Sequence, residues 1–116
     1  MCLCRAPLLA LALAAVPAAA DSAAGKAIWE NNCEGCHGIG VAGAPVATST
    51  DAWSPRIAQG TDTLYRNAIE GFYGPRGTMM PPRGGNDALT DQQVRDAVDY
   101  MIYLATQTIP GIAPTP

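Results

Sequence analysis

The sequence has few of the residues that build most metal and catalytic sites. It contains one histidine and four cysteines in 116 residues, and two of the cysteines, Cys2 and Cys4, precede an apolar run at the start of the chain. A closed zinc site needs four ligands, and no second segment rich in cysteine or histidine supplies them. No run of β-branched residues is long enough for the central strand of a thioredoxin-like domain. The composition therefore disfavours both classes, which stay as alternatives to the interpretation given below.

Long hydrophobic runs are also missing, because the apolar stretch at 8–16 falls well short of the ~20 residues that a membrane span needs. Arg5 precedes this stretch and three alanines follow it, ending at Ala20. This order of charge, apolar run and small residues is typical of a secretory signal peptide. We predict cleavage after Ala20 and a soluble periplasmic protein without a membrane span; an uncleaved anchor is the alternative.

Positive charge is scarce as well, and loss of the leader removes Arg5 but no acidic residue, so the formal charge of −3 becomes −4. This balance excludes a nucleic-acid binder and favours partners with a basic docking patch. Residues 21–107 are long enough for one small domain whose own apolar core is marginal. The proline-rich stretch 108–116 is predicted to be a flexible tail.

The chemistry is concentrated in residues 33–37, which read Cys-x-x-Cys-His, the attachment signal of a c-type haem. Two thiols add across the two vinyl groups of the macrocycle, and the next residue brings an imidazole to the iron. A helical turn beginning at Cys33 places Cys36 on the same side, with His37 beside it. We predict one haem c bound through Cys33 and Cys36, with His37 as an iron ligand. Export agrees with this, since haem is linked to cysteine thiols outside the cytoplasm.

A methionine is predicted as the second axial ligand. Residues 74–85 carry so many prolines and glycines that we expect neither helix nor strand there, and a rigid irregular loop suits the presentation of one thioether to iron. Met80 is preferred to Met79 because the prolines that follow it restrict it to an extended conformation. Met101 lies in a predicted helix, where packing explains it.

Three further residues are predicted to contact or orient the cofactor. The carbonyl of Pro45 is a candidate acceptor for the second ring nitrogen of His37, although an ordinary turn proline would look the same. Trp53 and Arg56 offer an indole N–H and a guanidinium that could hold haem propionates. A packed tryptophan and a solvated arginine are the alternative there.

Caps and apolar periodicity predict four helices. They run from Ser22 toward Asn31, from Ser54 to Gly60, from Thr61 to Gly71, and from Thr90 through Ala105. The last helix carries the clearest signals, a capping box and a hydrophobic staple. Gly25 and Trp29 share a face of the first helix, and we expect the last helix to cross there.

Taken together, these motifs resemble the class I cytochromes c, and within them the bacterial c5 type. The resemblance rests on the haem motif at 33–37, Gly-Ala-Pro at 43–45, Trp-x-x-Arg at 53–56, Met-Pro-Pro-Arg-Gly-Gly at 80–85, Leu-Thr-Asp at 89–91 and Val-x-Tyr-Met at 98–101. It implies an all-α fold of about four to five short helices around one covalently attached haem. It also implies His37 and Met80 as axial ligands, with the carbonyl of Pro45 orienting His37.

The same resemblance implies a one-electron carrier, not an enzyme, which docks transiently with redox protein partners. Similar proteins often carry an extra cysteine pair near the Gly-Gly stretch; Asn86 follows it here, so no disulfide is predicted. One alternative is an electron-transfer subunit of a larger oxidoreductase complex. Another is a haem peroxidase or gas sensor with an open sixth site, which would need a distal acid or base that a second histidine does not supply.

Overall fold

A computed structural model describes residues 22–107 of the chain, so the predicted signal peptide at 1–20 and the tail at 108–116 lie outside the described residues. The part described is mainly helical, which confirms the all-α class. Its helices are α1 (Ser22–Asn32), α2 (Glu34–His37), α3 (Thr50–Ile57), α4 (Thr61–Glu70) and α5 (Asp91–Thr106). Two short strands, β1 (Phe72–Tyr73) and β2 (Met79–Met80), and two 3₁₀ turns, Val41–Gly43 and Pro82–Gly85, lie between them.

The crossing of α1 and α5 depends on Gly25. A Cβ atom at this position would lie 2.3 Å from the carbonyl oxygen of Asp96 and 3.3 Å from the Cβ of Tyr100. Four residues along α1, the ring of Trp29 packs against that of Tyr100 with centroids 5.7 Å apart. The predicted close approach of the terminal helices at Gly25 is therefore confirmed.

Helix α5 begins with the predicted capping box. The Thr90 hydroxyl accepts from the backbone N–H of Gln93 at 3.2 Å, and the Gln93 side chain accepts from the backbone N–H of Thr90 at 2.9 Å. The buried residues of α5 divide between two apolar clusters. One contains Trp29, Ala47, Trp53, Ala97, Met101 and Ala105, and the other contains Leu64, Ala68, Val94, Val98 and Ile102.

Helix α3 begins earlier than the predicted start at Ser54, so that prediction was wrong. Ser49 caps the helix by accepting from the backbone N–H of Ala52 at 3.2 Å. Ser54 instead lies inside the helix, where its hydroxyl donates to the carbonyl of Thr50 at 2.8 Å. Pro55 is tolerated in this short helix, although it lacks the N–H of a regular helical residue. Thr61 is likewise the first residue of α4 and not its cap, which is Gly60.

The stretch expected to contain neither helix nor strand includes β2 and a 3₁₀ turn. Strands β1 and β2 pair in antiparallel fashion, with Phe72 opposite Met80 and Tyr73 opposite Met79. The backbone N–H of Gly74 donates to the carbonyl of Thr78 at 2.7 Å and closes the hairpin. The prediction failed because two-residue strands show no periodicity and the glycines and prolines fall mostly between or after them.

Within residues 22–107, no helix has both the length and the apolar composition that a membrane span requires.

Candidate haem-binding site

The two cysteines lie where α1 passes into α2. The backbone N–H of Cys33 donates to the carbonyl of Trp29 at 2.9 Å, and the backbone N–H of His37 donates to the carbonyl of Cys33 at 3.0 Å. Cys33 is half-buried, Cys36 is exposed, and both thiols are free. Burial, with a smaller effect of Cys36, raises the pKa of the Cys33 thiol to about 11. The motif thus presents two separate thiols on one turn.

His37 is the buried polar residue of this region, with 7% of its surface exposed. Its Nδ1 lies 2.9 Å from the carbonyl oxygen of Pro45. A carbonyl only accepts, so Nδ1 carries the proton and Nε2 keeps its lone pair. Burial lowers the pKa of His37, the bond to Pro45 raises it, and the charge of Arg56 lowers it; burial has the largest effect, so the net shift is downward. The imidazole is therefore held neutral, which is the form that binds a metal.

The loop after His37 folds back on it. The backbone N–H of Ala47 donates to the carbonyl of His37 at 2.7 Å, which keeps Pro45 within reach of the ring. Gly40 (φ +83°) and Gly43 (φ +80°) give the loop its tight path. The hydrogen bond predicted for Pro45 is present, and the function assigned to it, the orientation of an iron ligand, stays a prediction.

Trp53 is buried beside His37, with ring centroids 6.2 Å apart. Its indole Nε1 donates to the carbonyl of Val46 at 3.0 Å, so the structure does not leave this N–H free for a propionate. Trp53 therefore packs against His37 and stabilises the loop that carries Pro45 through its hydrogen bond to Val46. A direct contact between Trp53 and the cofactor stays a prediction.

Arg56 is half-buried, and its Nη1 donates to the carbonyl of Ala52. It lies close enough to His37 for its charge to affect the pKa of the imidazole. The ion pairs found between residues 22 and 107 are Lys26 with Glu30 and Arg83 with Asp91, so Arg56 has no carboxylate partner there. A half-buried cation in this position suits an anionic group such as a propionate, which stays a prediction for Arg56.

The hairpin separates the two candidate methionines. Met80 is half-buried and packs against the cluster that contains Leu64, whereas 55% of the surface of Met79 is exposed. Gly71 (φ +86°) allows the backbone at Met80 and Pro82 to pass close by, because a Cβ at position 71 would lie 3.0 Å from the Cδ of Pro82 and 3.1 Å from the carbonyl oxygen of Met80. Met101 is buried in the core of α5, as its helical position predicted. Iron ligation by Met80 itself stays a prediction.

These residues fit a covalently attached haem. Two cysteine thiols, a neutral imidazole with an available Nε2 and a half-buried thioether are the donor types that a covalently attached, His/Met-ligated haem would need. Within the described residues no cluster of three or more His, Cys, Asp or Glu side chains offers an alternative metal site. None of the candidate haem residues lines the charged groove between α4 and α5. That groove is lined by Asp62, Tyr65, Arg66, Ile69, Glu70, Asp91 and Arg95.

Sequence reasoning missed a set of exposed apolar side chains next to this site. Ile39 and Val41 lie in the loop after His37, and Phe72, Tyr73 and Met79 lie in the hairpin. The loop and the hairpin touch, since a Cβ on Gly43 would come within 2.8 Å of the Cγ2 of Thr78. We call these five residues the apolar face. A charge count along 38–50, which contains no charged residue, was the available signal.

The chain is similar to several known proteins. The profile of the family described as cytochrome c oxidase, cbb3-type, subunit III matches residues 20–101. The chain is 51% identical over 82 residues to cytochrome c-555 of Chlorobaculum tepidum, covering 71% of this chain and 75% of that one. It is 36% identical over 76 residues to cytochrome c5 of Ectopseudomonas mendocina, covering 64% of this chain and 82% of that one.

A solved structure is similar as well. It is a chain from a crystal structure of an electron transfer complex of nitrite reductase with cytochrome c. The TM-score is 0.62 at 40% sequence identity, and the match covers 71% of this chain and 94% of that chain.

Proposed function

Because the chain belongs to the class I c-type cytochromes, we propose that it carries single electrons between redox proteins of the periplasm, with His37 and Met80 as the axial ligands of its haem. The haem c is attached covalently through Cys33 and Cys36. The family consists of electron carriers and not of enzymes. What is proposed beyond the family is the ligand pair, the compartment and the mode of docking.

The observation that carries the ligand assignment is the hydrogen bond between His37 Nδ1 and the Pro45 carbonyl oxygen, at 2.9 Å. It fixes the tautomer and the ring plane, so Nε2 stays available in one orientation for binding a metal. Trp53 packs against the ring from the side and limits its rotation. Met80 is the thioether that the fold half-buries, and His/Met ligation favours a relatively high reduction potential.

The haem supplies an iron that takes up and releases one electron. The chain's own residues would hold this group: Cys33 and Cys36 through their thiols, and His37 and Met80 as ligands of the iron, with Arg56 providing a cation beside His37. A peroxidase would need a distal acid or base, and His37, the single histidine of the sequence, is already committed to Pro45.

We place partner docking at the apolar face. Ile39 and Tyr73 are 83% and 76% exposed, and Arg76 is the one charged residue in 71–82. An exposed apolar patch of this kind is typical of an interaction site, and a small patch suits short-lived contacts. The complex of nitrite reductase with a similar cytochrome c supports a redox protein as the class of partner. The acidic net charge would act at longer range, in the approach of a basic partner.

The ligand assignment is tested by the visible spectrum of the reduced protein before and after carbon monoxide. We expect an unchanged spectrum, because Met80 fills the sixth position. Met80→Ala should then bind carbon monoxide, whereas Met79→Ala, at the exposed neighbouring position, should behave like the natural chain. Carbon monoxide binding by the natural chain would contradict the assignment and favour a sensor or peroxidase.

The compartment is tested by the mass of the protein recovered from the periplasm of an expressing bacterium. Cleavage after Ala20 would leave a chain that begins at Asp21 and carries one haem. A mass that retains residues 1–20 would contradict this part of the proposal.

A second candidate function is supported by the matching family profile, which is described by an oxidase subunit. In that case the chain would be the electron-entry subunit of a larger oxidoreductase complex. Purification from the native membrane and periplasmic fractions discriminates the two, because a free carrier is recovered alone in the periplasmic fraction and a subunit is recovered with the complex.

A further inference from the structure

The loop at residues 81–86, which follows Met80 and which we call the methionine loop, has an unusual backbone. Arg83 (φ +54°), Gly84 (φ +63°) and Gly85 (φ +88°) are consecutive residues in the left-handed region. Left-handed φ is uncommon for a residue with a side chain, such as Arg83, and persists where surrounding contacts impose it. Arg83 is fixed on one side, because its guanidinium donates to the carbonyl of Leu89 at 2.9 Å and to the carboxylate of Asp91 at 2.6 Å.

A side-chain hydrogen bond also links this loop to α1. The amide nitrogen of Asn86 lies 2.8 Å from the amide oxygen of Asn32, a residue 54 positions earlier in the chain. The backbones are close here as well, since a Cβ on Gly84 would lie 2.9 Å from the carbonyl oxygen of Asn32. The contact is partly buried, so water competes with it less than at an open surface.

The remaining polar atoms of the two asparagines fix the orientation of this bond. The Asn32 amide nitrogen donates to the carbonyl of Ile28 at 2.9 Å, so its oxygen faces Asn86. The Asn86 oxygen accepts from the backbone N–H of Ala88 at 3.1 Å, so its nitrogen faces Asn32. The two side chains thus link helix α1 to the loop through three successive hydrogen bonds.

The location of this pair suggests what it does. Asn32 immediately precedes Cys33, and Asn86 follows Met80 by six residues. We propose that Asn32 and Asn86 are positioning residues that hold the methionine loop against the haem-attachment segment and so keep Met80 on the iron. The inference rests on the proposed axial ligation by Met80.

The test measures how easily an added ligand displaces the methionine. Imidazole competes for the sixth position of the ferric protein, and the far-red absorption band of the sulfur-to-iron bond reports the displacement. Apparent imidazole affinity rises in proportion to the population with the methionine detached. The net contribution of one hydrogen bond predicts a roughly fivefold tighter apparent affinity in Asn86→Ala and in Asn32→Ala.

Two further variants make the result specific to the pair. Asn32→Asp keeps the acceptor for Asn86, but it loses the donation to Ile28 and adds a negative charge, so we expect its imidazole affinity to rise less than that of Asn32→Ala. In the double variant Asn32→Ala/Asn86→Ala, we expect the fivefold effect once, because the two side chains act as a unit. Multiplying effects in the double variant would overturn the proposal.

Thr50→Val is the matched control. The Thr50 hydroxyl donates to the carbonyl of Ala105 at 2.8 Å, a partly buried bond between residues 55 positions apart that does not involve the methionine loop. This variant should lose thermal stability to a similar extent and keep its imidazole affinity. If Thr50→Val also binds imidazole about fivefold tighter, the effect is general destabilisation and the proposal is wrong.

Met80→Ala separates this inference from the proposed function on which it rests. Loss of the far-red band and tight imidazole binding in Met80→Ala, with natural affinity in both asparagine variants, would overturn the inference alone. An unchanged band in Met80→Ala would overturn the ligand assignment and the inference together.

Discussion

Replacement of Gly25 by alanine tests whether the contact between α1 and α5 decides the stability of the domain. The added Cβ would lie 2.3 Å from the carbonyl oxygen and 3.0 Å from the carbonyl carbon of Asp96, whereas ordinary contact begins at 3.4 Å. Both neighbours are backbone atoms of α5, so no side chain can rotate away. The helices would have to separate by about 1 Å to restore ordinary contact.

Two effects of opposite sign determine how much Gly25→Ala changes the free energy of unfolding. Alanine stabilises the interior of a helix by about 1 kcal/mol relative to glycine. Overpacking costs about 1–3 kcal/mol, and separation of the helices also weakens the contact between Trp29 and Tyr100, a kind of pair worth about 0.5–1.5 kcal/mol. We therefore expect a net loss of roughly 0.5–3.5 kcal/mol. For a domain of this size that corresponds to a fall in Tm of roughly 2–28 °C.

The assay is thermal unfolding of the haem-loaded protein, followed by far-ultraviolet circular dichroism. Ala27→Gly is the matched control, because Ala27 is exposed in the same helix and reports helix propensity alone. That variant should lose about 1 kcal/mol. An equal or higher Tm in Gly25→Ala would refute the reasoning, because it would show that propensity and not the helix contact dominates at this position.

Three other predictions concern charge and docking. Arg56→Gln should lower the midpoint potential in a redox titration, because the natural cation beside His37 disfavours the oxidised iron; an unchanged potential would place Arg56 too far away to matter. Burial is the main reason that the pKa of Asp99 stands above its ordinary 3.8, against the opposing effect of its hydrogen bond from Tyr65. The folded chain therefore binds a proton on Asp99 more tightly than the unfolded chain does. The stability that this proton contributes is fully present below pH 3.8 and is lost as the pH rises through the pKa of Asp99 in the folded chain. Asp99→Asn, which keeps an acceptor for Tyr65, should flatten that fall in denaturant unfolding across mildly acidic pH, and an unchanged slope would contradict the assignment. Tyr73→Glu should slow electron self-exchange between oxidised and reduced copies and make it more salt-dependent than in the natural chain, because it adds a like charge to the apolar face beyond the acidic net charge; an unchanged rate and salt dependence would show that the contact lies elsewhere.

The parts of the site that could be predicted from sequence are those encoded by local chemistry. Residues 33–37 must lie on one helical turn to serve one macrocycle, and the capping box at Thr90 satisfies backbone groups only three residues away. The crossing at Gly25 was also predictable, since a glycine inside a helix costs stability unless another backbone approaches it. Each of these signals compares a residue with its near neighbours.

What could not be predicted depends on contacts between distant segments. The indole N–H of Trp53 reads as a free donor in the sequence, and only the folded loop brings the carbonyl of Val46 to it. Nothing local indicates that Asn86 faces Asn32, because the bond forms only after the chain between them has folded. The hairpin was missed because its strands are too short to show alternation.

Helix α5 contacts both the cysteine side and the methionine side of the site, because its buried residues divide between two apolar clusters. Residues 97, 101 and 105 pack in the cluster that contains Trp53 and contacts Cys33, whereas residues 94, 98 and 102 pack in the cluster that contacts Met80. A single rigid helix thus sets the separation between the attachment side and the methionine side. Because α1 contacts α5 at Gly25 and the methionine loop at Asn86, a displacement of α1 should reach both Cys33 and the loop that follows Met80. The stability of the fold and the permanence of the bond proposed between Met80 and the iron are therefore expected to be coupled through the position of α1.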